Sequence, residues 1–475
     1  MGAIYSCHTH PLVQKLNKFL YSPAYFLLMG ILTVLSNVFS MELYVYTCFI
    51  LIGIYICLLG RDLLPLLPIF ACGYISPSYN NNPGLHTDSV FSVAGGGVYL
   101  AVLLTMLAGS LVYRLVTDPD FGGKKFLHTK RSLLSGMIVL GICYAISGLG
   151  SGQWDEYGWR NLLFAFLQFV AIAGLYYLLS GAVKWELAPK AYLFWTGICV
   201  GYVLLAELGS IYLSANLIIN GTIHRGLIVT GWGHYNNMGA LFAMVIPLSF
   251  FLTGKGKLAF FGYLTATLFY IGLLFTCSRA SILFGTATFI AGYALSLIHT
   301  RHARRLIWMH AVNVAIPVFL LVFYHNELIR LFGFLSDVGL TSENRIIDYT
   351  EGFKQFLKYP IFGGTFFPVD YAPYVWADSH FTYLFPSRWH NTLVQLLATG
   401  GVSCIAGYAV HRVQTAKLFI QHFTTEKLFA ALSILALLLT SLLDCHFFNV
   451  GPVLLYSATL AFVEFRLNKH TDHLK

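Results

Sequence analysis

The feature that most constrains this chain is a succession of apolar runs that follow one another with only short interruptions. A helix needs roughly 20 apolar residues to cross the hydrocarbon core of a bilayer. About fourteen runs approach that length, and the third, which holds Pro65 and Pro68, is short enough to be re-entrant. The predicted spans are residues 19–38, 41–60, 62–77, 93–116, 132–151, 159–181, 191–213, 236–253, 258–276, 280–299, 306–324, 391–411, 427–443 and 447–465.

The low charge content supports the same conclusion. Only 10% of the 475 residues are charged and 57% are hydrophobic, whereas a soluble domain carries about 25% charged residues. The expected fold class is therefore an all-α polytopic membrane protein with about 12–14 transmembrane helices. No repeat, low-complexity tract or separate soluble domain is visible, so we expect a single membrane domain, residues 1–475.

The distribution of positive charge predicts the topology. A net charge of +9 could indicate nucleic-acid binding, but the basic residues lie in short loops between apolar runs. Cytoplasmic loops are enriched in Lys and Arg, and a cytoplasmic N-terminus places 21 of the 29 Lys and Arg inside. Both termini are predicted to be cytoplasmic, and no nucleic-acid partner is expected. The run from residue 19 is too long for a typical signal peptide and predicts an uncleaved span.

Residues 325–390 form the one long segment that is neither an apolar run nor a short connector. The topology makes it a large external loop. Apolar residues from Ile346 to Leu357 recur at helical spacing and predict a short helix, which either lies in the membrane interface or packs on the span ends. Pro360 and the Gly363–Gly364 pair end that helix. Aromatic residues crowd the rest of the loop, which suits a folded cap or a surface that stacks sugar rings.

Eight cations remain on the outer side, where the charge rule disfavours them. Four of these adjoin polar clusters near span ends or in the loop: Arg225, Arg279, Arg345 and Arg388. A guanidinium can grip a phosphate or pyrophosphate through two parallel hydrogen bonds, as an ammonium cannot. The alternative for Arg279 is an ordinary interfacial arginine whose head reaches toward water. Both interpretations are open at this point.

Two polar clusters stand beside these arginines. Gly-His-Tyr-Asn at 233–236 ends in Asn236 and precedes the eighth run, and Thr-Cys-Ser-Arg at 276–279 contains Ser278. In the first cluster, polar amides followed by Gly239 at the start of a span suit the close approach of backbone or ligand. They equally suit simple capping of the following helix.

His390 and Asn391 stand where the loop re-enters the membrane. A neutral histidine in that place can accept a proton from a sugar hydroxyl. The alternative is a histidine that is hydrogen-bonded to the loop backbone. Two carboxylates near outer span ends, Glu207 and Asp444, suit buried partners or proton relays.

No metal or cofactor is expected. The nine cysteines show neither CxxC nor Cys/His metal spacing, and most lie within apolar runs. Asp118-Pro119-Asp120 has the form of the metal site of nucleotide-sugar transferases. The topology, however, places it in a cytoplasmic loop beside Gly122–Gly123, where turn chemistry explains it.

In order and placement, these motifs resemble the O-antigen ligase and polymerase superfamily, over roughly residues 220–410. The residues that carry the resemblance are Arg225, Gly-His-Tyr-Asn at 233–236 with Gly239, Ser278-Arg279, Glu343-Asn344-Arg345, Tyr-Pro-Ile-Phe-Gly-Gly at 359–364, Trp389-His390-Asn391 and Gly400-Gly401. Two features depart from the family pattern. Tyr235 stands where proline is common, and about fourteen spans exceed the twelve typical of the ligases.

The resemblance implies a metal-independent GT-C-like glycosyltransferase, without a cofactor, on the external (periplasmic) face of the bacterial inner membrane. Its donor would be a glycan on undecaprenyl pyrophosphate, and its acceptor another glycan or lipid A–core. His390 would be the base, while Arg225 and Arg279 would hold the pyrophosphate during catalysis. The implied substrate-binding residues are Arg345, Asn236, Ser278, Asn391 and Arg388.

The alternative function is a membrane transporter of a small anion or sugar. A transporter would be expected to place charged groups or broken helices near the middle of the membrane. Here the unusual polar residues gather at outer span ends and in the loop, which favours the enzyme. A purely structural scaffold is a third option. Within glycan transfer, a ligase, a polymerase and a protein glycosyltransferase all remain open.

Overall fold

The structure is a computed structural model that describes residues 10–39, 41–75, 95–183, 192–214, 217–219, 222–230, 233–254, 256–323, 325–326, 343–366, 389–421 and 424–472. Most of these residues are helical, and the all-α polytopic class is confirmed. The helices are α1 (Pro11–Leu20), α2 (Pro23–Phe39), α3 (Glu42–Leu59), α4 (Leu66–Ile75), α5 (Gly96–Thr117), α6 (Lys124–His128), α7 (Leu134–Ala145), α8 (Trp154–Phe169), α9 (Leu175–Ala182), α10 (Tyr192–Ser214), α11 (Tyr235–Phe250), α12 (Ala259–Phe275), α13 (Arg279–His299), α14 (Ala303–Phe323), α15 (Glu343–Lys358), α16 (Thr392–Ile420), α17 (Thr425–Thr440) and α18 (Val450–Asp472).

Seven helices in the described part are long and apolar enough to cross a membrane. They are Glu42–Leu59, Gly96–Thr117, Gly158–Ala182, Tyr192–Leu213, Tyr235–Gly254, Arg279–His299 and Thr392–Ile420. The pair Pro11–Leu20 and Pro23–Ser36, bent by 71°, makes an eighth if it is one span. Three further apolar stretches among the described residues form shorter helices, Leu134–Ala145, Ala259–Phe275 and Val450–Phe465, because an apolar run need not be helical throughout. In the run 132–151, for example, α7 ends at Ala145 and Gly148 and Gly150 adopt positive φ.

The chain divides into two compact units. The first comprises Met1–Thr129 and Leu178–Asp337, and the second Lys130–Tyr177 and Val338–Lys475. In the first unit, α11 packs against α10, α12 and α13, and almost all of its residues are buried. Gly201 faces the ring of Phe269 and Gly292 faces that of Phe250. Small residues at such positions let membrane helices approach closely.

Two short antiparallel ladders precede α11 in the first unit. Strand β1 (Ile218–Ile219) pairs with β2 (Thr222–Ile223), with Ile218 opposite Ile223. Strand β3 (Val229–Thr230) pairs with β4 (Gly233–His234), with Val229 opposite His234. The 3₁₀ turn Arg225–Leu227 lies between the ladders. This polar segment is therefore an ordered hairpin pair.

The second unit is organised around α16, which is broken at Gly401 (φ 61°, ψ −157°). After the break, α16 packs against α7, where Gly407 meets Cys143. The aromatic rings of Tyr144, Phe164 and Phe448 pack together in the core of this unit. Because of the break, α16 changes direction at Gly401.

Helix α15 is the amphipathic helix expected in the loop, and it has two different faces. Tyr349 packs on Trp389, next to α16, and a side chain at Gly352 would meet Val394. The opposite face exposes Phe353 and Leu357, at 51% and 72%. One face therefore packs on a span end, as one alternative predicted, while the other is free to contact lipid.

Candidate functional site

Arg225 is held by the hairpins of the first unit. The backbone N–H of His224 donates to Leu217 O at 2.8 Å, and that of Ile228 to Arg225 O at 3.0 Å. These bonds close the turn that presents the half-buried Arg225 side chain. Its guanidinium carbon lies 5.2 Å from the centre of the Tyr235 ring, a cation–π distance. Tyr235, which departs from the family pattern, therefore supports this arginine.

Ser278 and Asn236 meet where α11 and α13 begin. The Ser278 hydroxyl donates to Asn236 Oδ1 at 2.9 Å and lies 2.9 Å from the Ser281 hydroxyl. Gly239 permits this approach, because a Cβ at that position would lie 2.7 Å from Ser281 Cβ. The Asn236–Gly239–Ser278 pattern therefore fastens the starts of two helices to each other, and both polar residues are buried.

Arg279 follows directly as the first residue of α13, with Ser278 as its N-cap. The positive end of the helix dipole disfavours a cation at that position. Helix stability therefore gives no reason for an arginine here. The half-buried guanidinium and the adjacent helix N-terminus are both suited to an anion.

The Cys277 thiol, two residues before Arg279, lies within electrostatic range of Arg225. Burial raises the pKa of this thiol to about 11, against the opposing effects of the Tyr212 hydroxyl and the positive charge of Arg225. Arg225 is therefore within electrostatic range of the corner that ends in Arg279. We call Arg225, Asn236, Ser278 and Arg279 the arginine cluster. Of the predicted site residues, the structure brings together these four in the first unit.

In the second unit, the loop segment after α15 is joined to the break in α16. The N–H groups of Val402 and Ser403 donate to the carbonyls of Pro360 and Ile361, at 2.9 and 3.1 Å. In return, the N–H of Gly364 donates to Ala398 O at 3.0 Å. Backbone groups that the break would leave unpaired in the membrane are thus satisfied.

Glycine is needed on both sides of this junction. A Cβ at Gly363 would lie 2.2 Å from the carbonyl carbon of Thr399, and one at Gly401 would lie 2.5 Å from Ile361 O. Both glycines also have positive φ, 69° and 61°, which L side chains rarely adopt. The two Gly-Gly motifs of the sequence are therefore the two halves of one backbone contact.

His390 is fixed by its neighbours on both sides. Trp389 is 1% exposed, and its N–H donates to Gln395 Oε1 at 3.3 Å. The Tyr349 hydroxyl donates to His390 O at 3.3 Å. His390 itself has φ +46°, and its side chain is 42% exposed. A strained backbone holds a reachable imidazole at the start of α16, which is a frequent feature of functional sites.

Asn391 caps α16. Its Oδ1 accepts from the N–H groups of Leu393 and Val394 at 2.8 and 3.1 Å, and its Nδ2 donates to Leu442 O at 2.7 Å. Asn391 is therefore the side-chain cap of this helix. Direct binding of substrate by its side chain stays a prediction.

Asp444 lies beside His390, with 3.6 Å between Asp444 Oδ1 and His390 Nδ1. Burial raises the pKa of this carboxyl, but the positive charge of His446, the neighbouring imidazole of His390 and the hydrogen bond from the Cys445 N–H outweigh burial. The net pKa is held well below its usual range, so Asp444 is ionised at neutral pH. We call His390, Asn391 and Asp444 the histidine site. No local sequence motif connects His390 with Asp444. The sequence indicated Asp444 only as a carboxylate near an outer span end.

Two predicted binding residues are not placed at either site. Arg345 lies in the first turn of α15, but its side chain is outside the described residues, as is the whole of Arg388. The aromatic series from 367 to 388 also lies outside them. Within the ranges that the structure covers, no group of three or more His, Cys, Asp or Glu residues could hold a metal ion.

Comparison with protein families identifies one match. Residues 264–409 match the family model described as O-antigen ligase, and a search of curated proteins found no relative. The match includes Ser278, Arg279, the Gly363–Gly401 junction and His390. It supports a multi-pass membrane enzyme of the glycosyltransferase type, with a lipid-linked glycan donor and a glycan acceptor. The match confirms the resemblance to the O-antigen ligase superfamily that the sequence motifs predicted, over residues 264–409 of this chain.

Proposed function

We propose that this protein transfers a glycan from undecaprenyl pyrophosphate to an acceptor hydroxyl, as an O-antigen ligase or a polysaccharide polymerase. The observation that carries the proposal is the contact between His390 and Asp444 within an O-antigen ligase-type chain. A histidine whose Nδ1 faces a carboxylate can present Nε2 as a base. Asp444 then stabilises the imidazolium that proton transfer creates.

The reaction has one bond-forming and one bond-breaking event at the anomeric carbon. The acceptor oxygen bonds to that carbon while its proton moves to His390, and the bond from the carbon to the pyrophosphate oxygen breaks. Negative charge then develops on the lipid pyrophosphate. Arg225 and Arg279 provide fixed positive charge for this leaving group, which is most effective in a site that excludes water.

The backbone around the α16 break favours this enzyme over the transporter. In transporters, broken helices leave carbonyls and N–H groups available to bind a substrate or ion. Here the groups at the break, including Val402 N–H and Ala398 O, are hydrogen-bonded to the loop segment 360–364. That pairing supports a structural role for the break, which joins α16 to the loop segment, and not a role in binding a transported substrate.

The direct test uses purified protein, an undecaprenyl-pyrophosphate glycan and candidate acceptors. We expect His390→Ala to lower the rate by roughly 10²- to 10⁴-fold, the usual contribution of a general base. Arg279→Ala should weaken use of the donor. His128→Ala and Arg301→Ala, both at exposed positions, are the matched controls. Unchanged transfer by both site variants would refute the assignment, while substrate flux in liposomes without transfer would favour the transporter.

We place the histidine site on the external face of the inner membrane, with both termini cytoplasmic. A cysteine at exposed Lys358 in the loop should react with a membrane-impermeant maleimide in intact cells. A cysteine at exposed Lys15 should react only after permeabilisation. Exposed native Cys48 is replaced by serine in both proteins. Labelling of the Lys15 position alone would reverse the topology.

A further inference from the structure

Arg412 is enclosed by aromatic rings in the part of α16 that follows the break. Its guanidinium carbon lies 4.4 Å from the ring centre of Phe447, 4.5 Å from that of Tyr408 and 5.1 Å from that of Tyr456. Its Nη1 donates to the Tyr456 hydroxyl at 2.8 Å, and that hydroxyl lies 2.8 Å from His411 Nε2. The cation therefore sits in a cage of three rings.

The rings are the principal partners of this charge. The Nε and Nη2 atoms of Arg412 have no solvent exposure and no hydrogen-bond acceptor within the described residues. Burial of a guanidinium is costly unless other groups compensate it, and ring faces attract a cation more strongly once water is excluded. Atoms without any exposed area leave no room for a bound anion. The cage therefore acts within the protein and is not a ligand site.

Phe447 connects this cage to the histidine site. It lies in the 3₁₀ turn His446–Phe448, which begins two residues after Asp444. The last residue of this turn, Phe448, is also fixed, because Gln168 Nε2 donates to its carbonyl oxygen at 3.1 Å. At the other end, the Thr392 hydroxyl donates to Asp444 O at 3.4 Å. The backbone that carries the Asp444 carboxylate is therefore fastened on each side.

We propose that Arg412 is a positioning residue which, through the ring of Phe447, holds the Asp444 carboxylate toward His390. The inference rests on the proposed function, because it assumes that His390 is the base. A displaced turn would move the carboxylate away from Nδ1, and the imidazole would lose both its orientation and its stabilising charge. Small displacements of this kind reduce rates strongly, since catalysis depends on alignment.

The pH dependence of transfer distinguishes positioning from a purely structural role. Asp444 faces the imidazole, and Tyr349 donates to the backbone carbonyl of His390. His446 and Cys445 flank the carboxylate. Tyr144, Tyr408, Tyr456 and His411 surround the Arg412 side chain. If the carboxylate moves away, the protonated imidazole loses its partner, and the acid limb of the rate profile shifts to lower pH.

The test compares Arg412→Met, Phe447→pentafluorophenylalanine and Asp444→Asn in the full-length protein, using the donor and acceptor of the transfer assay. Fluorination approximately keeps the ring size and reverses the charge of its face, so it weakens the cation contact without emptying the core. Arg305→Gln is the control, because Arg305 is exposed and lies 4.7 Å from the Phe260 ring.

We expect Arg412→Met and the fluorinated variant to lower kcat by roughly 10- to 100-fold with little change in KM. Their acid limbs should shift in the direction found for Asp444→Asn. The Arg412→Met/Asp444→Asn double variant should be no slower than the slower single variant. The control should match the unmodified protein.

Three results would overturn the inference. The first is an unchanged acid limb in both Arg412→Met and the fluorinated variant while Asp444→Asn shifts it, even if the variants are less stable. The second is a multiplicative loss in the double variant. The third is no transfer by the unmodified protein, which removes the proposed function and this inference with it. In the first two cases the proposed function stands.

Discussion

Asp444 Oδ1 and His390 Nδ1 lie 3.6 Å apart, although 53 residues and two helices, α16 and α17, separate them in the chain. The contact forms because the connector between α17 and α18 is bonded to the start of α16. Thr392 N–H donates to Ser441 O at 2.9 Å, and Asn391 Nδ2 donates to Leu442 O. The histidine site is thus assembled from two connectors on one helix end.

The first prediction concerns the carboxylate. Asp444→Asn should lower kcat by roughly 10- to 100-fold and leave KM nearly unchanged, because Asp444 orients the base without touching substrate. Steady-state transfer rates provide the measurement. Glu351→Gln is the control, since Glu351 is an acid of the loop that pairs with Lys354 at 2.6 Å. An equal loss in both variants would indicate a general effect of loop charge.

The second prediction concerns stability and pH. Because the folded pKa of Asp444 is depressed, the unfolded chain binds the proton more readily. The carboxylate therefore stabilises the fold at pH values above its ordinary pKa of 3.8. That contribution is lost as pH falls below this value toward the folded pKa. Melting temperatures in detergent should show an advantage over Asp444→Asn at pH 5 that becomes smaller below pH 4, where the carboxylate takes up its proton. An advantage that keeps growing below pH 4 would contradict the assignment.

The third prediction concerns the junction at the α16 break. Gly363→Ala should destabilise the protein by roughly 2–4 kcal/mol, since the new Cβ would overlap the Thr399 backbone at positive φ. Gly150→Ala is the matched control, because Gly150 also has positive φ (78°) but nothing within 4 Å. Its cost should be limited to backbone strain of about 1–2 kcal/mol. Equal losses of melting temperature would show that φ alone accounts for the effect.

The fourth prediction concerns the arginine cluster. Gly239→Ala should push the start of α11 away from Ser278 and Ser281, separate Asn236 from Ser278 and displace Arg279. Donor use, measured as kcat/KM, should fall by roughly tenfold or more. Gly209→Ala, at a helical glycine of α10 with nothing within 4 Å, should be neutral or slightly stabilising. Unimpaired transfer by Gly239→Ala would separate this packing contact from donor binding.

Local patterns predicted much of the fold. The helical spacing from Ile346 to Leu357 and the stop at Pro360 predicted α15, which begins three residues earlier and ends one residue later. Both signals are local. The predicted span 391–411 is instead α16, Thr392–Ile420. The helix has 29 residues and changes direction at Gly401. A hydropathy window of one span length does not detect such a break.

The site was only partly visible in the sequence. Arginine at a span start and histidine at a loop end are unusual where they stand, so position alone singled out Arg279 and His390. The partners of these residues were not visible, because Asp444 and Tyr235 are unremarkable until folding brings them to an imidazole and a guanidinium. The Gly363 and Gly401 motifs resembled the family, but the glycines are needed because Gly363 approaches the Thr399 backbone and Gly401 approaches the Ile361 backbone.

The hydrogen bonds of Phe366 and Trp389 bear on which part of this chain can vary in sequence. Phe366 is tied by its N–H to Asn161 Oδ1 at 3.2 Å, and Trp389 is tied to Gln395. Phe366 and Trp389, on either side of positions 367–388, are therefore fixed in the second unit. Changes of sequence or length between these two points need not alter the backbone that holds His390.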